Sequence, residues 1–222
     1  MKRILVLCLI SLLLVSGCAW FEPNEEKTAQ ELASDGMDQF NSEDYTESIE
    51  SFEKLKDWYP FSKFAILAEL KIADANYNIQ EYEEAIASYE EFESLHPRNE
   101  AIPYIIYMIG LCYFEQIDTI DRDQNTAKKA LNTFRRLEKQ FPGDPYTIKA
   151  EGHTKECLKS LAGHEFYVGL FYFKSKHYKA ALSRFKSVLT KYSDVGVHQM
   201  ALQHIATCDA LLKKQGEEKA SQ

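Results

Sequence analysis

Two His/Cys pairs stand at helical spacing in this sequence, His153 with Cys157 and His204 with Cys208. Residues four apart share one face of a helix, so each pair presents two soft ligands side by side. Two such faces brought together would make a four-ligand zinc site. The competing reading makes the cysteines small core residues and the histidines surface or hydrogen-bonded groups, and Cys112, inside an apolar run, reads as core in the same way. An oxidised Cys157–Cys208 pair is a third arrangement, open to a protein in an oxidising compartment. Other chemistry finds no residues to carry it. There is no H-E-x-x-H and no G-x-S-x-G, and the nearest thing to a glycine-rich phosphate loop, Gly163 with Gly169, falls inside a helical pattern. The acidic runs Glu81-Tyr82-Glu83-Glu84 and Glu90-Glu91 fit solvated helix faces. These residues point to no catalytic group, no metal and no cofactor; an enzyme reading would rest on the His/Cys pairs alone.

A different chemistry belongs to Cys18. Lys2 and Arg3 open the chain and Ile4 to Val15 form an apolar run, which reads as a secretory signal over residues 1–17. The signal ends Val15-Ser16-Gly17-Cys18. An aliphatic residue, two small ones and a cysteine resemble the lipobox of bacterial lipoproteins. The resemblance implies a diacylglyceryl group on the Cys18 thiol, cleavage before Cys18 and acylation of the new amine. Ala19, rather than Asp, implies sorting to the outer membrane. Three acyl chains would anchor the protein stably, since two lipid signals already suffice. Residues 18–25 then form a lipidated tether containing Pro23. No later stretch is long and apolar enough to span a bilayer. With 222 residues, 45% of them hydrophobic, the chain can bury the core of one large domain or two small ones. The net charge of −8 argues against a nucleic-acid binder held by charge.

The elements that position these groups follow from a repeat. Small residues recur at Gly36, Ala73, Gly110 and Gly169, and again at Ser48, Ala85, Ala130 and Ala181. An aromatic follows the second set by four residues: Phe52, Tyr89, Phe134 and Phe185. Eight residues later stand Pro60, Pro97 and Pro142, with Ser193 in the fourth copy. This pattern resembles the tetratricopeptide repeat, helix–turn–helix units of about 34 residues. Small residues let two antiparallel helices approach, the aromatic fills the space toward the next unit, and proline ends the second helix. One unit cannot bury its apolar stripe alone, so neighbours stack. The expected fold is all-α, a tetratricopeptide-repeat solenoid of about four and a half repeats over residues 26–214, followed by a polar, mobile tail at 215–222. The expected helices are 27–40, 45–58, 62–78, 82–95, 101–116, 126–140, 146–175, 178–192 and 197–214. The third copy carries an insert at 116–125 (QIDTIDRDQN), expected to project from one face.

First helices of such repeats line a concave face. Four residues beyond the small position, or three before it, that face carries Phe40, Leu70, Tyr77, Tyr107, Phe114, Phe166 and Phe173. This stripe suits an extended, apolar, aromatic-ended peptide; equally, the rings can pack between helices. Charge is divided unevenly. Residues 19–118 hold 23 acidic and 6 basic side chains, and residues 119–222 hold 11 acidic and 18 basic. A basic second half can steer an acidic partner, with Arg122, Arg135, Arg136 and Arg184 the candidate contacts.

More specific runs are Tyr59-Pro60-Phe61-Ser62-Lys63-Phe64-Ala65, Tyr107-Met108-Ile109-Gly110-Leu111, Asp121-Arg122-Asp123-Gln124 and Leu161 to Val168 (LAGHEFYV). With the lipobox, they resemble the BamD family of lipoproteins in the outer-membrane β-barrel assembly (Bam) complex. The resemblance covers nearly the whole chain but departs at its end, where the family's fifth repeat is reduced to one helix and a short tail. It implies a non-catalytic scaffold without cofactor or nucleic acid, anchored by lipid to the outer membrane and facing the periplasm. The implied partners are BamA-like periplasmic POTRA domains, accessory Bam lipoproteins and the C-terminal signal strands of unfolded outer-membrane β-barrel proteins. Arg184, in the run Ala181 to Phe185, resembles the part of the family placed near BamA. Another envelope adaptor on the same repeat, serving peptidoglycan or division machinery, remains an alternative. The lipobox is tested by metabolic labelling: a fatty acid is expected in the wild-type protein and absent from Cys18→Ala, because the motif offers no other thiol.

Overall fold

The computed structural model describes residues 26–220, the side chain of Lys219 apart. The signal expected at 1–17, the lipid attachment expected at Cys18 and the tether expected at 18–25 lie outside the described residues. Among those described there are nine helices and no strand. They are α1 (Ala29–Asn41), α2 (Tyr45–Trp58), α3 (Ala65–Asn78), α4 (Tyr82–Leu95), α5 (Ile102–Glu115), α6 (Asn125–Gln140), α7 (Pro145–Lys174), α8 (Tyr178–Lys191) and α9 (His198–Ala220). Each packs chiefly on its neighbours in the chain, the pattern of a tetratricopeptide-repeat solenoid. α7 is the exception, because it also touches α5.

The small positions are small because an aromatic ring lies on them. A methyl group added at Gly36 would stand 2.8 Å from the ring of Phe52, and one at Gly169 would stand 2.6 Å from the ring of Phe185. At Gly110 the ring of Phe134 is closer still. The three rings are buried. Phe134 and Phe185 also meet the following unit through His153 and His204, and Phe52 shares a core with Ala65, Ala68 and Ile72 of the next repeat. In the second repeat the ring is Tyr89 and the small residue is Ala73, both fully buried. Ser48 in the first repeat adds a buried hydrogen bond across the same helix pair, its hydroxyl donating to Gly36 O at 2.8 Å.

The turns repeat as closely as the cores. Glu43, Gln80 and Lys176 each adopt a left-handed conformation, with φ of 65°, 67° and 61°. Each stands two residues before the tyrosine that opens the second helix of its repeat (Tyr45, Tyr82 and Tyr178). In all three turns the next residue's N–H returns to a carbonyl of the preceding helix: Asp44 to Gln39, Glu81 to Asn76 and His177 to Tyr172. α2, α4 and α6 end two residues before Pro60, Pro97 and Pro142, as a residue preceding proline disfavours helical ψ.

Two features differ from the sequence expectation. The last helix does not stop at residue 214 but continues to Ala220, so most of the expected tail is helical. Lys213 and Lys214 lie four residues before Glu217 and Glu218 and pair with them at 4.0 Å, the spacing that supports an exposed helix end. The insert after α5 does not project either; it folds back on the middle of α7. His164 Nδ1 donates to Ile120 O at 2.6 Å, Ser160 donates to the buried Gln124 side chain at 2.7 Å, and Ile120 packs over Gly163.

The glycines of α5 and α7 give opposite expectations. Gly110→Ala forces the Phe134 ring from its seat and should cost about 1–3 kcal/mol. Gly152 is exposed with open space around it, so Gly152→Ala should stabilise the helix by about 0.5–1 kcal/mol. Urea unfolding of both variants measures the two signs.

Candidate peptide groove and docking surface

The seven groove candidates are all half-buried. None is loose on the surface and none is sealed in the core. Those four residues beyond the small position stack edge-on against the tyrosine that opens the next helix: Phe40 on Tyr45 at 5.3 Å, Tyr77 on Tyr82 at 5.8 Å and Phe173 on Tyr178 at 5.7 Å. Phe114, whose repeat carries the insert instead of that turn, stacks on His153 at 4.7 Å. Leu70, Tyr77, Tyr107 and Phe114 pack against one core, and Phe166 and Phe173 against another. Phe40 lies under Lys71 of the next repeat, whose ammonium is 4.3 Å from the ring centre. The candidates therefore form patches along the array: six of them pack against a core, and Phe40 lies between Tyr45 and Lys71.

His153 and His204 hold two of these patches together. His153 lies nearly parallel on Phe134, 5.7 Å away, with Phe114 and Tyr107 beside it. His204 lies nearly parallel on Phe185, 5.0 Å away, with Phe173 and Phe166 beside it. The two settings are copies of each other. Ala150, His153 and Cys157 recur 51 residues later as Ala201, His204 and Cys208, and so does the stacked ring. The cysteines are free and buried in different cores, so the geometry does not join the two pairs into one ligand set or one disulfide. Burial pushes the Cys157 thiol up to about 12. Among the described residues no group of three or more His, Cys, Asp or Glu could hold a metal ion.

Sequence reasoning missed Asp74. It sits almost fully buried in α3, one residue after the small position. Its Oδ1 accepts from Tyr89 at 2.8 Å and from Tyr104 at 2.7 Å, and its Oδ2 accepts from Lys71 at 2.8 Å. The carboxylate thus ties α3, α4 and α5 together, and Lys71 extends the chain of contacts back to Phe40. Burial, reinforced by the Asp74 charge, pushes both tyrosines far above their usual range. A single acidic residue amid Ile72, Ala73 and Ala75 was the available signal. Nearby, burial and then Glu115 raise Tyr77 to about 12, and the same causes raise Tyr107.

The four arginines are not equivalent. Arg136 grips Glu93 of α4 with both terminal nitrogens, one of them at 3.1 Å. Arg184 holds Glu165 of α7 at 3.1 Å, and that glutamate is mostly buried. Both are therefore committed within the chain, across helix pairs. Arg122, in the insert, and Arg135, on α6, are exposed.

Stacked helix pairs with half-buried aromatic patches and a helical cap define the class, a tetratricopeptide-repeat solenoid. The profile of the family described as "Outer membrane lipoprotein" (YfiO) matches residues 25–222, and the chain belongs to that family, the one that includes BamD. A relative from Neisseria gonorrhoeae named "Outer membrane protein assembly factor BamD" is 30% identical over 212 residues, covering 87% of this chain and 79% of that one. One from Caulobacter vibrioides with the same name is 29% identical over 183 residues, covering 80% of this chain but 60% of its own length. Among solved structures, a tetratricopeptide repeat protein from Parabacteroides merdae is similar at a TM-score of 0.44 and 13% identity, over 86% of this chain and 76% of that one.

Asp74→Ala should leave the buried Tyr89 hydroxyl without its acceptor and cost on the order of 1–3 kcal/mol, whereas Asp74→Asn keeps an acceptor and costs less. The raised tyrosines contribute stability that is full below the ordinary tyrosine pKa of 10.0 and lost as pH rises above it. Melting temperatures measured from neutral to alkaline pH should accordingly hold steady and then fall.

Proposed function

We propose that this protein is a lipid-anchored scaffold of outer-membrane β-barrel assembly that faces the periplasm, reads signal strands of unfolded barrel proteins and docks a BamA-like partner. The observation that carries the reading is membership of the family over residues 25–222, with relatives named as assembly factors across four-fifths or more of the chain. No catalysis is part of it.

The half-buried rings support the first half of the reading. A ring with one edge in a core and one toward solvent gives a peptide a rigid apolar seat at low entropic cost. Tyr77 and Tyr107 are the best placed, because each keeps a hydroxyl next to an apolar face. An aromatic-ended strand would lie across them and Phe114, with Leu70, Phe166, Phe173 and Phe40 as further seats along the array.

The basic half supports the second. Arg122 and Arg135 are the exposed candidates for an acidic partner face such as a POTRA domain, and arginine grips a carboxylate with two bonds. Arg136 and Arg184 serve it indirectly, by fixing helix pairs through Glu93 and Glu165. Accessory lipoproteins of the same machinery are the remaining partners proposed.

One experiment tests both halves. The lipidated protein, extracted in mild detergent, should co-purify a BamA-like partner and bind a peptide ending in an apolar, aromatic strand. Tyr77→Ala with Tyr107→Ala should weaken the peptide by about 1–2 kcal/mol per anchor while helicity survives. Arg122→Glu with Arg135→Glu should slow partner association at low salt, and added salt should shrink the difference. Co-purification of peptidoglycan or division proteins instead would overturn the assignment. A collapse of helicity in the tyrosine variant would show that those rings are core.

A further inference from the structure

Three large apolar side chains crowd the short turn from α2 into α3 and face water: Trp58 at 53% exposure, Phe61 fully exposed and Ile66 at 42%. The repeat pattern does not call for them, since the core of this unit is already supplied by Phe52 and Leu55, both fully buried. Exposed Lys63 falls between Phe61 and Ile66 in the chain, its ammonium 4.9 Å from the ring centre of Phe64. Clustered exposed apolar groups rimmed by polar ones mark a surface that meets a partner or a membrane.

The position of the turn selects between the two. Tyr59, the first residue of the turn, donates its hydroxyl to Lys27 O at 3.0 Å. Lys27 is the last residue before the capping box of Thr28 and Glu31 that starts α1, and its ammonium pairs with Asp35 at 2.6 Å. The chain therefore enters the solenoid at a point tied to Tyr59, the residue that follows Trp58 at the start of this turn. Upstream of it, residues 19–26 separate Lys27 from the expected lipid acceptor Cys18, and those nine extended steps reach at most roughly 32 Å.

We infer that this turn is a membrane-docking surface: Trp58, Phe61 and Ile66 enter the headgroup region of the leaflet that holds the anchor, with Lys63 at the phosphates. The inference rests on the lipid-anchor reading above. Aromatic side chains favour that interface, and apolar area there adds to the hold of acyl chains. The 19–118 half carries 23 acidic and 6 basic side chains, so net charge opposes an anionic surface and the contact is apolar. It forms on zwitterionic lipid and withstands salt. Two attachments, the acyl chains and this turn, set the tilt of the solenoid over the membrane.

The chain has two tryptophans, so Trp20→Phe leaves Trp58 as the sole reporter. The full lipidated protein carrying that change is reconstituted in phosphatidylcholine vesicles brominated in the upper acyl chain. Trp58 emission should shift to the blue and be quenched. Adding Phe61→Glu and Ile66→Glu, at exposed positions, should abolish the quenching while the protein still floats with the vesicles and keeps its helical signal. Flotation with Trp58 unquenched would overturn the docking surface and leave the anchor standing. A protein that neither floats nor incorporates labelled fatty acid would overturn the anchor reading and this inference with it. A Trp58 response to an aromatic-ended peptide but never to vesicles would assign the turn to a protein partner instead.

Discussion

A benzene ring lying on a residue without a side chain is the contact on which the solenoid depends. Gly36 under Phe52, Gly110 under Phe134 and Gly169 under Phe185 set the separation of the two helices in three repeats. That separation fixes where every other side chain of the pair can reach. Because the ring also meets the next unit, one contact sets both the intra-repeat and the inter-repeat spacing. Close-packed interiors do not yield by fractions of an ångström without cost, so these sites hold the spacing of the helix pairs. Polar contacts are then added at the seams: Asp74 between α3, α4 and α5, Arg136 with Glu93 between α4 and α6, and Arg184 with Glu165 between α7 and α8.

The same contact explains the histidines. His153 and His204 stack on the rings of Phe134 and Phe185, the same rings that lie on Gly110 and Gly169. The cysteines four residues on are the small residues that let those closing helices settle. A pattern that suggests zinc by spacing is, in space, the same packing solution used twice. It also gives α7 its two roles: the half around His153 closes the third unit, and the half around Gly169 opens the fourth.

Much of this was legible in the sequence. The small–small–aromatic–proline period located the repeats, and all nine helices begin within three residues of where periodicity put them. That pattern is local, and short-range sterics decide it. What depends on contacts between distant residues was not legible. The insert at 116–125 reads as a polar loop, yet its fate is decided by His164 and Ser160, more than thirty residues away. The end of α9 carries two exposed lysine–glutamate pairs and no apolar stripe that periodicity could detect. The groove aromatics satisfied both readings, because a residue in a stacked array can be core on one edge and surface on the other. For Arg136 and Arg184 the sequence showed exposed-type residues on a basic half, and only the fold shows each already holding a carboxylate of the chain.

α7 runs unbroken from Pro145 to Lys174. At 1.5 Å per residue, thirty residues make a rod about 45 Å long. Most repeat arrays change register between units at a loop, where small rotations are absorbed. Here the third and fourth units share one continuous helix, so the junction has no joint. A load applied at the α8–α9 end is carried as leverage along α7 to the cores around Phe134, with the insert braced against the middle of the beam through Ile120 and His164. Any bending of the solenoid is therefore displaced toward the looped seams between the first three repeats.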